Sequence, residues 1–500
     1  MVTSEAVPLA KTGGLGDMVT GLSNELTRRG HDVRIMLPGY RSIDNHVISR
    51  APLCTIDVPV LGRTESATIE CILVRQDRVD GPRSPDYVVV RHAGFFDRPG
   101  LYRQENRDFP DNLDRFAFFS RATVEWLMAS AKSSGWMPDI IHVHDWQAAL
   151  VPLYLRANEG RPAMLKGVRN ILTIHNLGYQ GIFPGSEYPR MGLPPEWFSP
   201  AWLEFYGSVN LLKGGIVASD WLTTVSPTYA REIQLPELGF GLDGVLRERH
   251  DRLIGITNGI DIELWDPSQD PCLPARYSAR DRSGKRLCKS TLQETMQLPV
   301  DESPLIGVVS RLVEQKGIDL VADALESMGT IDFQMVVLGT GDHLLERRLK
   351  DLEKAYPTHV RVRLGFDEGL AHRIQAGADI FLVPSRYEPC GLTQLSSLRY
   401  GTVPIVRKTG GLADTVIGYP GDASHAPTGF VFDDPTPEAF MRSLKRALGL
   451  YRESEWERLI DACMQVQVGW TGAAQQYEEL YKILCPDPGA GDERRSGSMN

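Results

Sequence analysis

One heptapeptide occurs twice in this chain, almost unchanged. Lys11-Thr12-Gly13-Gly14-Leu15-Gly16-Asp17 stands near the start, and Lys408-Thr409-Gly410-Gly411-Leu412-Ala413-Asp414 stands near the end. Each follows a short extended stretch and enters a helical pattern, so each reads as a strand-to-helix turn. Adjacent glycines let a backbone come close to a bound group. The helix behind them offers unpaired N–H groups and a positive dipole end, which suit a phosphate. Alone, a Gly-rich turn is more often plain packing. Two of them, far apart, predict two halves of similar design.

The segments around them agree. In the first half, strands are expected at 33–37, 69–74, 87–90, 138–144, 170–175, 221–225 and 253–257. Helices are expected at 19–29, 115–132, 148–156 and 211–218. A polar, Pro-containing stretch from Asn258 to about Ala279 reads as an inter-domain hinge. A second alternating series starts at Leu305 and ends with a helix over 472–484. Strands alternating with helices indicate parallel βαβ units. The expected fold is therefore α/β, two doubly wound Rossmann-like domains facing across a deep cleft, with ligands at the carboxyl ends of the strands. The tail 486–500 is Gly-, Ser- and Arg-rich and is expected to be disordered.

Composition narrows the function. At ~150 residues per domain, 500 residues fit two or three domains. A net charge of −10 gives no general attraction to nucleic acid or anionic membrane, so an anionic ligand needs a local basic site. The seven cysteines are scattered without a CxxC, which points to reduced thiols in a cytosol-like compartment. No apolar run approaches the ~20 residues that span a bilayer. No signal peptide precedes the first turn, and a cytoplasmic location is expected.

Candidate chemistry sits at strand ends. Asp145-Trp146 follows His142 and His144; two histidines in alternation face one side of a strand, but no third metal ligand stands near them in the sequence. His175-Asn176, followed by Gly178 and Gly181, suits a sugar hydroxyl site. Arg311 and Lys316 share one strand-to-helix loop and can neutralise a diphosphate leaving group without a metal. Glu388, in Pro384-Ser385-Arg386-Tyr387-Glu388-Pro389-Cys390-Gly391-Leu392-Thr393, places a carboxylate ahead of a helix start, where free amides and a carboxylate together bind ring hydroxyls and phosphate. Cys390 lacks a neighbouring base and is a poor candidate nucleophile. There is no Asp-x-Asp metal–nucleotide clamp, no P-loop and no GxSxG elbow.

Together, Lys11–Asp17, His144–Trp146, Thr173–Asn176, Asn258–Asp261, Ser310–Gly317, Glu388–Gln394 and Thr409–Asp414 resemble bacterial glycogen synthase and plant starch synthase over about residues 2–484. The resemblance implies a GT-B retaining glucosyltransferase. It would move glucose from ADP-glucose to the 4-OH at the non-reducing end of an α-1,4-glucan, with no metal and no cofactor. It implies Asp145, His175, Arg311, Lys316 and Glu388 as catalytic residues. Lys11, Gly13, Gly14, Tyr102, Asn258, Cys390, Gly391, Leu392 and Thr393 would bind the donor. Residues 1–261 would form the acceptor-side domain, 262–468 the donor-side domain, and 469–485 a helix returning to the first. A UDP-glucose donor, a short maltose-like acceptor, or a glucan-binding paralogue without turnover are the competing readings.

Two departures stand out. Ser396 occupies the place of a second Glu found in many two-domain transferases, a Glu that the starch and glycogen branch generally lacks as well. The family also carries a full apolar first strand, whereas only Met1 and Val2 precede Thr3-Ser4-Glu5 here. Either the natural start lies upstream or the fold uses a shortened strand.

Overall fold

The computed structural model describes residues 1–74, 84–105, 107–133, 135–157, 165, 167–328, 330–422 and 424–486. The tail 487–500 lies outside the described residues. The chain divides into two compact units. Unit 1 comprises Met1–Val225, Ala230–Ile256 and the segment from Trp470 onward; unit 2 comprises Ser226–Tyr229 and Thr257–Gly469.

Unit 1 is built on β1 (Arg34–Pro38), β2 (Val47–Val60), β3 (Arg63–Val74), β4 (Asp86–Arg91), β5 (Ile140–His144), β6 (Arg169–Ile174), β7 (Trp221–Thr224) and β8 (Leu253–Gly255). Strands β8, β7, β6 and β5 lie side by side in parallel, and β1 pairs in parallel with β4. Val2 joins the two sets, bridging Met36 of β1 and Val143 of β5. Its N–H donates to His142 O at 2.8 Å, and that of Thr3 donates to Met36 O at 3.0 Å. Residues 1–3 thus hold the place of a first strand in the middle of the sheet. The turn after them and the end of β5 flank the point where strand order reverses, which is where open α/β sheets bind ligands.

The parallel reading fails at β2 and β3. These form a long antiparallel hairpin, and β3 pairs antiparallel with β4. Leu61 and Gly62 connect them with φ of 61° and 71°, the two positive values a tight hairpin turn needs. Residues 48–53 of β2 are all exposed, so the strand lacks the apolar alternation that would have revealed it. A small antiparallel sheet (Ile182–Pro184, Glu204–Phe205 and Ser208–Asn210) was likewise not anticipated. The first helix runs over Gly14–Arg28, taking in glycines that read as turn. Its Met18, Val19, Leu22 and Leu26 are buried at helical spacing. The helix Thr471–Leu484 packs on it. Gly21 permits the approach, because a Cβ there would lie 2.0 Å from the Trp470 indole nitrogen. Glu478 then accepts from Arg29 at 2.6 Å and pairs with His31 at 2.9 Å.

Unit 2 is a single parallel sheet of β9 (Leu305–Val309), β10 (Gln334–Gly339), β11 (Val360–Leu364), β12 (Ile380–Val383), β13 (Val403–Arg407) and β14 (Phe430–Phe432). Their spatial order is β11-β10-β9-β12-β13-β14. The order reverses between β9 and β12, the doubly wound pattern. Ile306, Val308, Met335, Val337, Ile380, Leu382 and Ile405 build one face of the core, each buried. The helix Ser283–Thr295 was not anticipated; it packs on the helix Glu368–Gly377, where a Cβ on Gly377 would lie 2.8 Å from Cys288 O.

Candidate functional site

In unit 1 the chemistry gathers where Val2, β5 and β6 end. Asp145 follows β5 directly and adopts φ +55°, a left-handed conformation uncommon outside glycine and found in clusters at functional sites. Its Oδ1 accepts the His175 N–H at 2.8 Å. Burial pushes its carboxyl up to about 7, helped by the charge of Glu5 and opposed by the His175 and Asn176 backbone N–H groups. The carboxyl therefore titrates near neutrality, the range a proton-transfer group needs. Gly181, at φ +64°, closes the 175–181 loop over Trp146; a Cβ there would lie 2.5 Å from the indole ring.

His175 Nε2 lies 3.1 Å from His144 Nδ1. Burial pushes His175 down to about 3 and holds His142 and His144 well below the usual histidine range. All three rings are neutral at pH 7. His142 and His144 stack with centroids 4.4 Å apart instead of converging on an ion. Among the described residues one group could hold a metal, Asp270, Cys272 and His372. Its Asp270 carboxylate already accepts from His372 at 2.7 Å, Tyr400 at 2.5 Å and the Cys272 N–H at 2.8 Å. That is a hydrogen-bonded buried network in unit 2 that pins the segment after Asn258 to the core.

The opening turn is exposed at Lys11, Thr12, Gly13 and Gly14. Lys11 Nζ reaches Asp17 at 2.8 Å. Glu5, which the sequence reading passed over, organises the turn. Its carboxylate accepts from Thr12 N (2.6 Å), Thr12 Oγ1 (2.6 Å), Gly13 N (3.3 Å) and Tyr102 OH (2.7 Å). The Gly13 N–H thus donates to the protein's own carboxylate. Tyr102 is held in the same cluster, its hydroxyl also 2.7 Å from Ser4 Oγ.

In unit 2 the loops after β9 and β12 meet at the strand-order reversal. Gly317, at φ +64°, makes this contact possible, since a Cβ there would lie 2.1 Å from Pro384 O. Arg386 N donates to Gln315 O at 2.8 Å, stitching the loops together. Lys316 Nζ pairs with Glu388 Oε2 at 2.5 Å, and Ser385 Oγ donates to the same oxygen at 2.9 Å. Arg311, exposed, sits at the mouth. Arg311, Lys316, Ser385 and Thr393 line a cavity of about 180 Å³. Glu388 is buried, so its charge is held by Lys316 rather than by water.

Cys390 is buried, and burial pushes its thiol up to about 12 against a contact from the Asn258 backbone. It is an inert thiol, as expected. Asn258 is buried beside it, its Oδ1 without a hydrogen-bond partner among the described residues. Gly391, at φ +71°, and Leu392 lead into the helix Thr393–Arg399. The structure thus brings Arg311, Lys316, Glu388 and Thr393 together in unit 2, with Asn258 and Cys390 beside them. It brings Asp145 and His175 together in unit 1, and gathers Gly13 and Tyr102 around Glu5, while Lys11 pairs with Asp17 in the same turn. Ser385 and His144 are further residues that sequence reasoning did not single out for the site.

A family model described as the starch synthase catalytic domain matches residues 1–248, and one described as glycosyl transferases group 1 matches residues 293–461. A glycogen synthase of Anaeromyxobacter dehalogenans is 46% identical over 487 residues, covering 97% of this chain and 98% of that protein. The chain belongs to the glycogen and starch synthase family. Glycogen synthase 2 of Nitrosococcus oceani is 44% identical, covering 96% of both chains. The catalytic domain of starch synthase IV from Arabidopsis thaliana, solved bound to ADP and acarbose, matches with a TM-score of 0.86 at 36% identity over 97% of this chain and 98% of that one. Sucrose-phosphate synthase of Thermosynechococcus elongatus, at 18% identity and a TM-score of 0.57 over 97% of this chain, shares the fold. Membership makes the chain a glycosyltransferase with the GT-B fold. Among the described residues no helix is long and apolar enough to cross a membrane.

Proposed function

We propose that the protein transfers glucose from ADP-glucose to the non-reducing 4-OH of an α-1,4-glucan, with retention of configuration and without a metal ion. The observation that carries this reading is the pairing of Lys316 with Glu388 beside Arg311, at the strand-order reversal of unit 2. Two cations there suit the diphosphate of a nucleotide sugar, and a buried carboxylate suits glucose hydroxyls. Kinship with glycogen synthases and with a starch synthase solved with ADP and acarbose supports an adenine-nucleotide donor and a glucan acceptor.

In this reading Arg311 and Lys316 stabilise charge on the departing ADP, the largest electrostatic contribution to the step. Glu388, with the Cys390–Thr393 backbone, binds the donor's glucose and phosphate. Lys11 and the Gly14 amide add to the diphosphate site. Asp145 and His175 act on the reacting sugar, and Tyr102 and Asn258 are donor-binding residues of their respective units. A same-face path needs no covalent nucleophile, because a diphosphate oxygen takes the proton of the acceptor hydroxyl as the C1–O bond to ADP breaks.

The test is an assay of labelled ADP-glucose against UDP-glucose, with glycogen and with maltose, in EDTA. Transfer from ADP-glucose to glycogen that survives EDTA, with an α-anomeric product, is expected. Loss of all transfer in EDTA removes the metal-free reading, and preference for UDP-glucose removes the donor assignment.

A further inference from the structure

His175 ends a column of buried side chains that the reaction described above does not use. His144 Nδ1 is 3.1 Å from His175 Nε2, and the His144 ring stacks on His142 at 27°. His142 Nδ1 lies 3.1 Å from Tyr481 OH, and its Nε2 lies 2.6 Å from Thr173 Oγ1, which is 2.6 Å from Thr223 Oγ1. The column is thus one face of β5, β6 and β7, covered by the helix Thr471–Leu484. His142 is 2% and His144 0% exposed, so neither ring can turn to water.

The protons in this column can be placed. A neutral imidazole has one N–H and one lone pair. His144 Nε2 is buried with no hydrogen-bond partner among the described residues. Orphaned buried N–H donors are rarer than orphaned acceptors, so Nε2 takes the lone pair and Nδ1 the proton. His144 Nδ1–H then donates to His175 Nε2, which must be bare. His175 carries its own proton on Nδ1, the opposite of what an unconstrained histidine favours. Burial keeps all three rings uncharged at neutral pH, so a second proton does not blur the assignment.

We propose that His144 is a positioning residue that locks His175 as its Nδ1–H tautomer, with His142 and Tyr481 holding His144 in place. The consequence for transfer rests on the reading above that His175 meets the donor's glucose. There the ring offers an N–H donor to a sugar hydroxyl oxygen and no lone pair.

The full chain labelled with ¹⁵N-histidine reports the tautomer by long-range ¹H–¹⁵N correlation, with His175 assigned through His175→Asn. The wild type is expected to show a protonated Nδ1 at His175. His144→Phe keeps a ring for the stack but has no Nδ1. It is expected to shift His175 toward Nε2–H and to lower kcat about 10-fold, by analogy with partners that orient metal-ligating histidines, with KM for ADP-glucose within about 2-fold. His144→Asn, whose amide nitrogen can stand where Nδ1 stood, is expected to restore the tautomer and most of kcat. A wild-type His175 protonated on Nε2, or a folded His144→Phe with an unchanged His175 signal, overturns the proposal. If His175→Asn retains normal transfer while His144→Phe still moves the tautomer, the positioning stands and the assignment of His175 to the reaction fails.

Discussion

The two copies of the Lys-Thr-Gly-Gly-Leu string fold into opposite kinds of turn. In the first, Lys11 to Gly14 are exposed, and a Cβ on Gly13 would meet nothing within 4 Å. Only the Glu5 carboxylate reaches in, and Lys11 turns to Asp17. In the second, Gly410 and Gly411 are buried. Gly410 sits at φ +44°, and a Cβ there would lie 1.9 Å from Glu388 O; one on Gly411 would lie 2.1 Å from Cys390 O. Gly411 N donates to Glu388 O at 3.1 Å. The Asp414 carboxylate is taken by Ser226 Oγ, Thr228 N and Thr228 Oγ1. One turn leaves its glycines exposed, with only Glu5 reaching in; the other has already been filled by the loop that carries Glu388. The second string therefore acts on the site indirectly, by shaping the backbone beneath Glu388.

That contrast can be broken by substitution. The largest effect is expected for Gly410→Ala, which meets both a left-handed φ and a carbonyl. It should cost on the order of 2–6 kcal/mol of stability, whereas Gly13→Ala should melt like the wild type. Calorimetry on the two variants decides it; equal melting temperatures would erase the difference between the turns. Next, Lys11→Ala should reduce kcat/KM for ADP-glucose about 10-fold, near 1.4 kcal/mol of lost charge stabilisation at the diphosphate. Lys408, paired at 3.7 Å with an exposed Asp433, should be replaceable by Ala with little change in steady-state kinetics. A kinetic loss as large in Lys408→Ala as in Lys11→Ala would make the strings equivalent after all.

A pH dependence is expected next to the first turn. Asp145 titrates at about 7 when folded and near 4 when unfolded, so its ionisation opposes folding as pH rises between those values. Asp145→Asn, which keeps an oxygen for the His175 N–H, should therefore melt above the wild type at pH 8 and match it at pH 4 while losing transfer. A variant less stable than the wild type at pH 8 would show that burial of this carboxyl carries no folding cost.

Much of this was legible in the residues. β9 starts, and the helix Leu211–Ala218 lies, where apolar runs and their flanking turns placed them, because nearly every residue of each is buried and breakers bound them. Arg311, Lys316 and Glu388 could be marked from their places after apolar strands. What stayed hidden depends on partners distant in sequence. β2 is solvent-facing over half its length and is held by β3. Glu5 reads as an ordinary acidic residue until Thr12, Gly13 and Tyr102 converge on it. The echo at Lys408 signalled a second turn correctly, but only the carbonyls of Glu388 and Cys390 reveal that this turn is closed.

The central claim is that transfer relies on cations gathered at the end of β9 rather than on a metal. Turnover of Arg311→Ala and Lys316→Ala, measured with saturating ADP-glucose and glycogen in EDTA, tests it most directly. A loss of about 10²-fold or more in each variant, with the fold intact, is expected from removing one group that stabilises transition-state charge. Near-normal turnover in both variants would contradict it.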